Sequence, residues 1–112
     1  MDIKKSFKTN YIFGAKATAT GLYKALGLLY PDIFVEAFVV SQRSNNPDEI
    51  FGCPVKLLSD IALKSADEKN DVRIFVAVPE LIHSEIEEIL KENGFFNLEF
   101  LDSKKEAEIM ER

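Results

Sequence analysis

Apolar residues come along this chain either in short unbroken runs or at helical spacing, and the alternation of the two sets the elements. Tyr11-Ile12-Phe13 is an apolar run that ends on Gly14, and between Ala15 and Tyr30 the apolar positions Ala19, Leu22, Tyr23, Leu26 and Leu29 fall three or four apart. This predicts strand, tight turn and helix. Pro31-Asp32 breaks the helix, and Ile33 to Val40 reads as a strand buried on both faces. Ser41 to Glu49 is polar and turn-rich, the expected mobile loop, and Phe51-Gly52-Cys53-Pro54-Val55 leaves room for a short edge strand. Ser59 is a good N-cap for a helix carrying Ile61, Ala62 and Leu63, which dissolves into the polar stretch Lys64 to Asp71. Val72 to Val78 is the clearest central strand. Pro79 suits the first turn of a helix whose stripe is Ile82, Ile86, Ile89 and Leu90, and Gly94 stops it. Phe95 to Leu101 gives the last strand. In these strands Phe34, Phe38, Phe75, Phe96 and Phe100 are the expected aromatic core.

Strands that alternate with helices and carry nearly continuous apolar runs imply a parallel sheet covered on both faces. The expected fold class is α/β: a three-layer, Rossmann-like parallel sheet of about five strands in the order 3-2-1-4-5, with helices on both faces. Residues 1–102 form this domain. Residues 103–112 read as the start of a C-terminal helical connector, cut short because no Gly or Pro ends it. In an open sheet of this kind a ligand sits at the carboxyl ends of the strands, here near Gly14, Ser41 and Pro79.

Composition narrows the chemistry. The chain has 112 residues, of which 14 are Lys or Arg and 19 are Asp or Glu, giving net charge −5. That balance argues against a sequence-independent grip on nucleic acid, which needs a concentrated positive field. One Cys and one His are too few for an intrachain disulfide or a structural zinc, so no metal is expected in the domain. Cys53 fits a reducing compartment, and Met1 to Asn10 lacks the apolar core of a signal peptide. No apolar run approaches the roughly 20 residues of a membrane span. The expected location is cytoplasmic.

The first turn is the main candidate site. A dinucleotide fingerprint needs three small residues at fixed offsets, and here those offsets hold Gly14, Lys16 and Ala19. The middle position carries a long side chain where a pyrophosphate would approach. The acidic residue that would hold ribose hydroxyls at the end of the second strand is also missing, since Val39-Val40 runs into Ser41. Both departures argue against ordinary NAD binding. Lys16 instead places an ammonium at a helix N-terminus, where amides and dipole favour an anion, with Thr18 and Thr20 as hydroxyl donors. The plainer alternative is a solvated Lys16 above threonines that cap or pack the helix. Gly14-Ala15-Lys16-Ala17-Thr18 is not a P-loop, because it lacks the upstream glycine and the Gly-Lys-[Ser/Thr] order.

The runs Tyr11-Ile12-Phe13-Gly14-Ala15, Phe38-Val39-Val40, Asn46-Pro47, Gly52-Cys53-Pro54-Val55, Ile74 to Val78, Gly94-Phe95 and Leu101-Asp102 carry a family resemblance. Together they resemble the small Rossmann-like domain at the N-terminus of bacterial capsular polysaccharide or lipopolysaccharide glycosyltransferases. Related domains precede sugar acetyltransferases and nucleotide-sugar dehydratases. The resemblance implies a non-catalytic accessory domain at the inner face of the membrane, partnered by a C-terminal catalytic domain of the same polypeptide, with a homodimer as a further option. It implies a cofactor-binding edge made of Gly14, Ala15, Lys16, Thr18, Ser41 and Pro79, open to a nucleotide, a nucleotide-sugar or NAD. Working relatives carry Gly-Ala-Gly in the turn and Asp after the second strand, so Lys16 and Ser41 mark a degenerate site. No catalytic residue is assigned. Glycosyl transfer needs a metal-binding acidic motif or another donor-sugar site, and Asp-x-Asp is absent; the resemblance implies that any such catalysis would lie in a domain beyond Arg112.

Two function classes therefore stand side by side: a ligand-binding accessory domain, and a structural or dimerising module that has kept the fold and lost the site. His83 with Glu87 one turn on permits a side-chain pair, but a solvated face accounts for both. Cys53 reads as a small buried apolar residue. Glu85, Glu87, Glu88 and Glu92 lie off the apolar stripe and read as a solvated acidic face.

Overall fold

The computed structural model describes residues 7–14, 16–41, 48–78 and 80–100. They form an α/β domain around one six-stranded, mostly parallel mixed sheet. The strands are β1 (Thr9–Phe13), β2 (Val35–Val40), β3 (Glu49–Ile50), β4 (Cys53–Leu57), β5 (Val72–Val76) and β6 (Asn97–Phe100). The helices are α1 (Ala17–Leu29), α2 (Leu58–Ile61), α3 (Ala66–Asn70) and α4 (His83–Glu92), with a 3-10 turn at Glu80–Ile82.

Across the sheet the order is β3-β4-β2-β1-β5-β6. The five parallel strands stand as third, second, first, fourth and fifth in chain order, and β3 adds an antiparallel edge that the sequence pattern did not announce. The whole sheet therefore departs from the six-strand order of a dinucleotide-binding fold. The cause is local. Phe51 (φ 52°) and Gly52 (φ 79°) are both left-handed, the conformation that closes a two-residue hairpin. The hairpin folds Glu49–Ile50 back along Cys53–Pro54, so β4 is not the edge strand expected from its sequence. Among the described residues no helix joins β2 to β4.

The two faces of the sheet have separate cores. On one, Ala19, Leu22 and Leu26 of α1 pack on Ile12, Phe38, Val55 and Phe75. On the other, Ile61 of α2 and Ile86 and Leu90 of α4 pack with Phe13, Val39, Ile74, Val76 and Phe95. β5 is buried at all five positions, as a central parallel strand should be.

Several boundaries differ from the pattern. Ser59 lies inside α2 rather than capping it, and the residue before α2 is Leu57. The capping serine is Ser65, whose hydroxyl accepts from the Glu68 N–H while the Glu68 carboxylate accepts from the Ser65 N–H; this is a complete capping box at the start of α3. Phe34 and Phe96 each precede a strand and are 75% and 63% exposed, so neither joins the core. Phe95 is buried in their place. Ile82 falls in the 3-10 turn and is partly exposed, which shortens the buried stripe of α4 to Ile86 and Leu90. The expected connector, residues 103–112, and most of the expected mobile loop lie outside the described residues. Among the described residues no helix is long and apolar enough to cross a membrane.

Candidate functional site at the carboxyl edge of the sheet

The carboxyl ends of β1, β2 and β5 meet at Gly14. Its N–H donates to the Val39 carbonyl at 2.8 Å, and the Ala77 N–H donates to the Phe13 carbonyl at 3.0 Å. Gly14 has φ +123°, and a Cβ there would lie 2.7 Å from the Ala77 carbonyl oxygen and 3.5 Å from the Ala19 Cβ. Only glycine satisfies both the dihedral and the contact. The turn is thus wedged between its neighbouring strands, and its close approach is to β5.

Lys16 is the N-cap of α1, with extended backbone (φ −105°, ψ −167°) and no side-chain cap bond. Its carbonyl accepts the first helical bond, from the Thr20 N–H at 3.0 Å. The side chain is exposed, and the first turn of α1 holds no acidic residue. The partial positive charge of the helix start and the ammonium therefore stand together. Thr18 is half-buried in the first turn and does not cap the helix. Ser41 is exposed directly after β2, two residues beyond Val39, the register partner of Phe13. The structure places Gly14, Lys16, Thr18 and Ser41 at one edge; Ala15 and Pro79 lie outside the described residues. This edge can offer an anion backbone amides and one ammonium. Among the described residues it gathers no acid, base and nucleophile.

Other groups sit differently from their sequence reading. His83 opens α4 and turns back to the strand end, where its Nε2 lies 2.9 Å from the Val78 carbonyl oxygen. A carbonyl only accepts, so Nε2 carries the proton. The ring lies 5.3 Å from the Phe100 ring. Glu87 pairs instead with Lys91, at 3.2 Å. Cys53 is buried, and burial pushes its thiol above the ordinary range. Glu85, Glu88 and Glu92 are exposed, as expected for a solvated face. Among the described residues no three His, Cys, Asp or Glu side chains group as metal ligands.

Two polar arrangements inside the sheet were missed, though charged letters within apolar strands signalled them. Arg73 is 1% exposed in β5, donates from Nε to Asn10 Oδ1 at 2.9 Å, and lies 4.9 Å from the Phe7 and Phe75 ring centres. In β2, Glu36 accepts from the Tyr11 hydroxyl at 3.2 Å. Burial first, and the Glu36 charge second, hold the Tyr11 phenol well above its ordinary range.

The chain matches no protein-family model and shows no significant similarity to a curated protein.

Proposed function

We propose that this chain is a Rossmann-like accessory domain of a bacterial surface-polysaccharide glycosyltransferase, with a degenerate nucleotide or nucleotide-sugar site at the carboxyl edge of its sheet. The observation that carries the reading is the pairing of Gly14 and Lys16. Gly14 keeps the tight strand-to-helix turn of a nucleotide site, while Lys16 sets an exposed ammonium at the start of α1, where a dinucleotide fold needs a second glycine. Such an edge meets a phosphate through an ammonium rather than through the close backbone approach that a dinucleotide fold gives a pyrophosphate. Ser41, exposed after β2, offers a hydroxyl where a ribose-binding carboxylate would stand. Transfer chemistry then belongs to a catalytic domain of the same polypeptide, as the family resemblance implies.

The test is an assay of the 112-residue chain with sugar nucleotides, following both binding and turnover. Binding without turnover supports the reading, and glycosyl transfer or sugar-nucleotide hydrolysis by this chain alone overturns it. A second reading, a docking module without ligand, draws on Leu28 and Phe51. Both are exposed apolar side chains, and Lys24, one turn before Leu28, lies 4.8 Å from the Phe51 ring centre. Absence of any binding, together with self-association of the chain, would favour it.

A further inference from the structure

On the face of the sheet opposite α1, the crossover from β4 to β5 is built from two short helices. α2 has four residues, α3 buries none of its own, and Leu63 between them is 86% exposed. Beyond Leu58 and Ile61, which pack on the sheet, the crossover buries little and leaves an open crevice of about 450 Å³, a size within the range of small-molecule sites. Lys56, Asp60, Ile61, Leu63, Lys64 and Glu68 line it, and Tyr11 closes its floor. It shares no residue with the carboxyl edge around Gly14.

The floor is polar where the surrounding layer is apolar. Tyr11 packs among Phe13, Val39, Ile61 and Ile74, yet its hydroxyl is tied to Glu36. Glu36 is the extra residue where the β1–β2 ladder slips, since Asn10 pairs with Val35 and Tyr11 with Ala37. Bulges are rare in parallel ladders and re-aim side chains. A phenylalanine at position 11 would fill the same layer without drawing a carboxylate inward.

The walls hold charge that the fold only partly uses. Among the described residues the side chains of Lys56 and Asp60 close no ion pair or hydrogen bond. The Glu68 carboxylate accepts from the Ser65 N–H and is stabilised by the nearby Lys64 charge. Two ammonium groups, the uncommitted Asp60 carboxylate and the apolar Ile61 and Leu63 therefore line the crevice, with the Glu68 charge beside Lys64. A simple cation meets two lysines, and an anion without a donor group meets Asp60. We propose that this crevice binds a zwitterion, an aliphatic α-amino acid. Its carboxylate lies between Lys56 and Lys64, its ammonium on Asp60, and its side chain against Ile61 and Leu63.

The inference stands apart from the nucleotide reading and is tested on the intact chain by titrating L-leucine and following backbone amide chemical shifts. Saturable shifts at Ile61, Leu63 and Lys64 are expected. Affinity falls about tenfold or more when isocaproate, which lacks the ammonium, or isoamylamine, which lacks the carboxylate, replaces leucine. Lys56→Met and Asp60→Asn, both changes at the crevice wall, weaken leucine to a similar degree while leaving the rest of the amide spectrum in place. Linear, unsaturable shifts overturn the proposal. So does an equal response to either half-ligand, or leucine binding that both variants leave intact.

Discussion

Gly14 and Ala77 meet at the carboxyl ends of β1 and β5 so closely that a single added carbon on Gly14 would lie 2.7 Å from the Ala77 carbonyl oxygen. The contact fixes where α1 begins relative to the sheet, and with it the position of Lys16. The obstacle is backbone, held by the bond from the Ala77 N–H to the Phe13 carbonyl, so it cannot swing aside as a side chain would.

Gly14→Ala is accordingly expected to cost about 2–6 kcal/mol. This combines ~1–3 kcal/mol for the strained dihedral with ~1–3 kcal/mol for overpacking. Urea unfolding of the variant checks it, and a change under about 1 kcal/mol would show that the turn relaxes freely.

Gly27 and Gly52 both have nothing within 4 Å of an added Cβ, yet alanine acts in opposite directions at the two sites. Gly27 lies exposed in α1, where alanine gains about 0.5–1 kcal/mol by restricting the unfolded chain. Gly52 has φ +79° in the hairpin turn, where alanine costs about 1–2 kcal/mol. Thermal melts of the two variants should move apart, one up and one down.

The Asn10 side chain bridges three strands at the amino end of the sheet. Its Oδ1 accepts from Arg73 in β5, and its Nδ2 donates to the Phe34 carbonyl just before β2 at 3.4 Å. Asn10→Ala removes a bond to a buried charged group, and a loss of about 1.5–3 kcal/mol is expected from chemical denaturation. Asn10→Asp, which keeps the acceptor, should recover part of it.

Tyr11 gives the fold an alkaline limit. Its phenol is held protonated above the ordinary tyrosine value by burial and then by Glu36, so the folded state binds this proton more tightly than the unfolded chain. The stabilisation is complete below the unfolded pKa, near 10, and is lost as pH rises toward the folded value. Stability measured against pH should fall above about pH 10, and Tyr11→Phe should flatten that part of the profile.

The elements that follow from burial were legible in the sequence. Val72 to Val76 and Val35 to Val40 declare central strands because, Arg73 and Glu36 apart, they are unbroken apolar runs, as a parallel sheet covered on both faces requires. Gly14 declared its turn for the same kind of reason, since a strand must end where α1 can pack back. The hairpin was hidden because Phe51 is a bulky residue in a left-handed conformation. Its ring stacks on Tyr23, with centres 6.1 Å apart, so a tertiary contact offsets what local propensity disfavours. The capping box at Ser65 and Glu68 was written in the sequence but was masked by the polar run around it. At the site, Lys16 and Ser41 could be placed from spacing alone. The turn of His83 back to Val78 could not, because it depends on the 3-10 turn Glu80–Ile82 ahead of α4. Nor could the union of Tyr11 with Glu36, which depends on a one-residue slip in the ladder.

The role of Lys16 is tested most directly by thermal shift of the wild-type chain and Lys16→Glu, each with and without a sugar nucleotide. Lys16 is exposed and makes no side-chain cap bond, so the variant should fold. A saturating sugar nucleotide should raise the wild-type melting temperature, with about 2.7 kcal/mol gained at 100 times its dissociation constant. The variant should show little or no rise. Equal stabilisation of both proteins by the sugar nucleotide, or no response to it, would contradict a phosphate-binding edge built on Lys16.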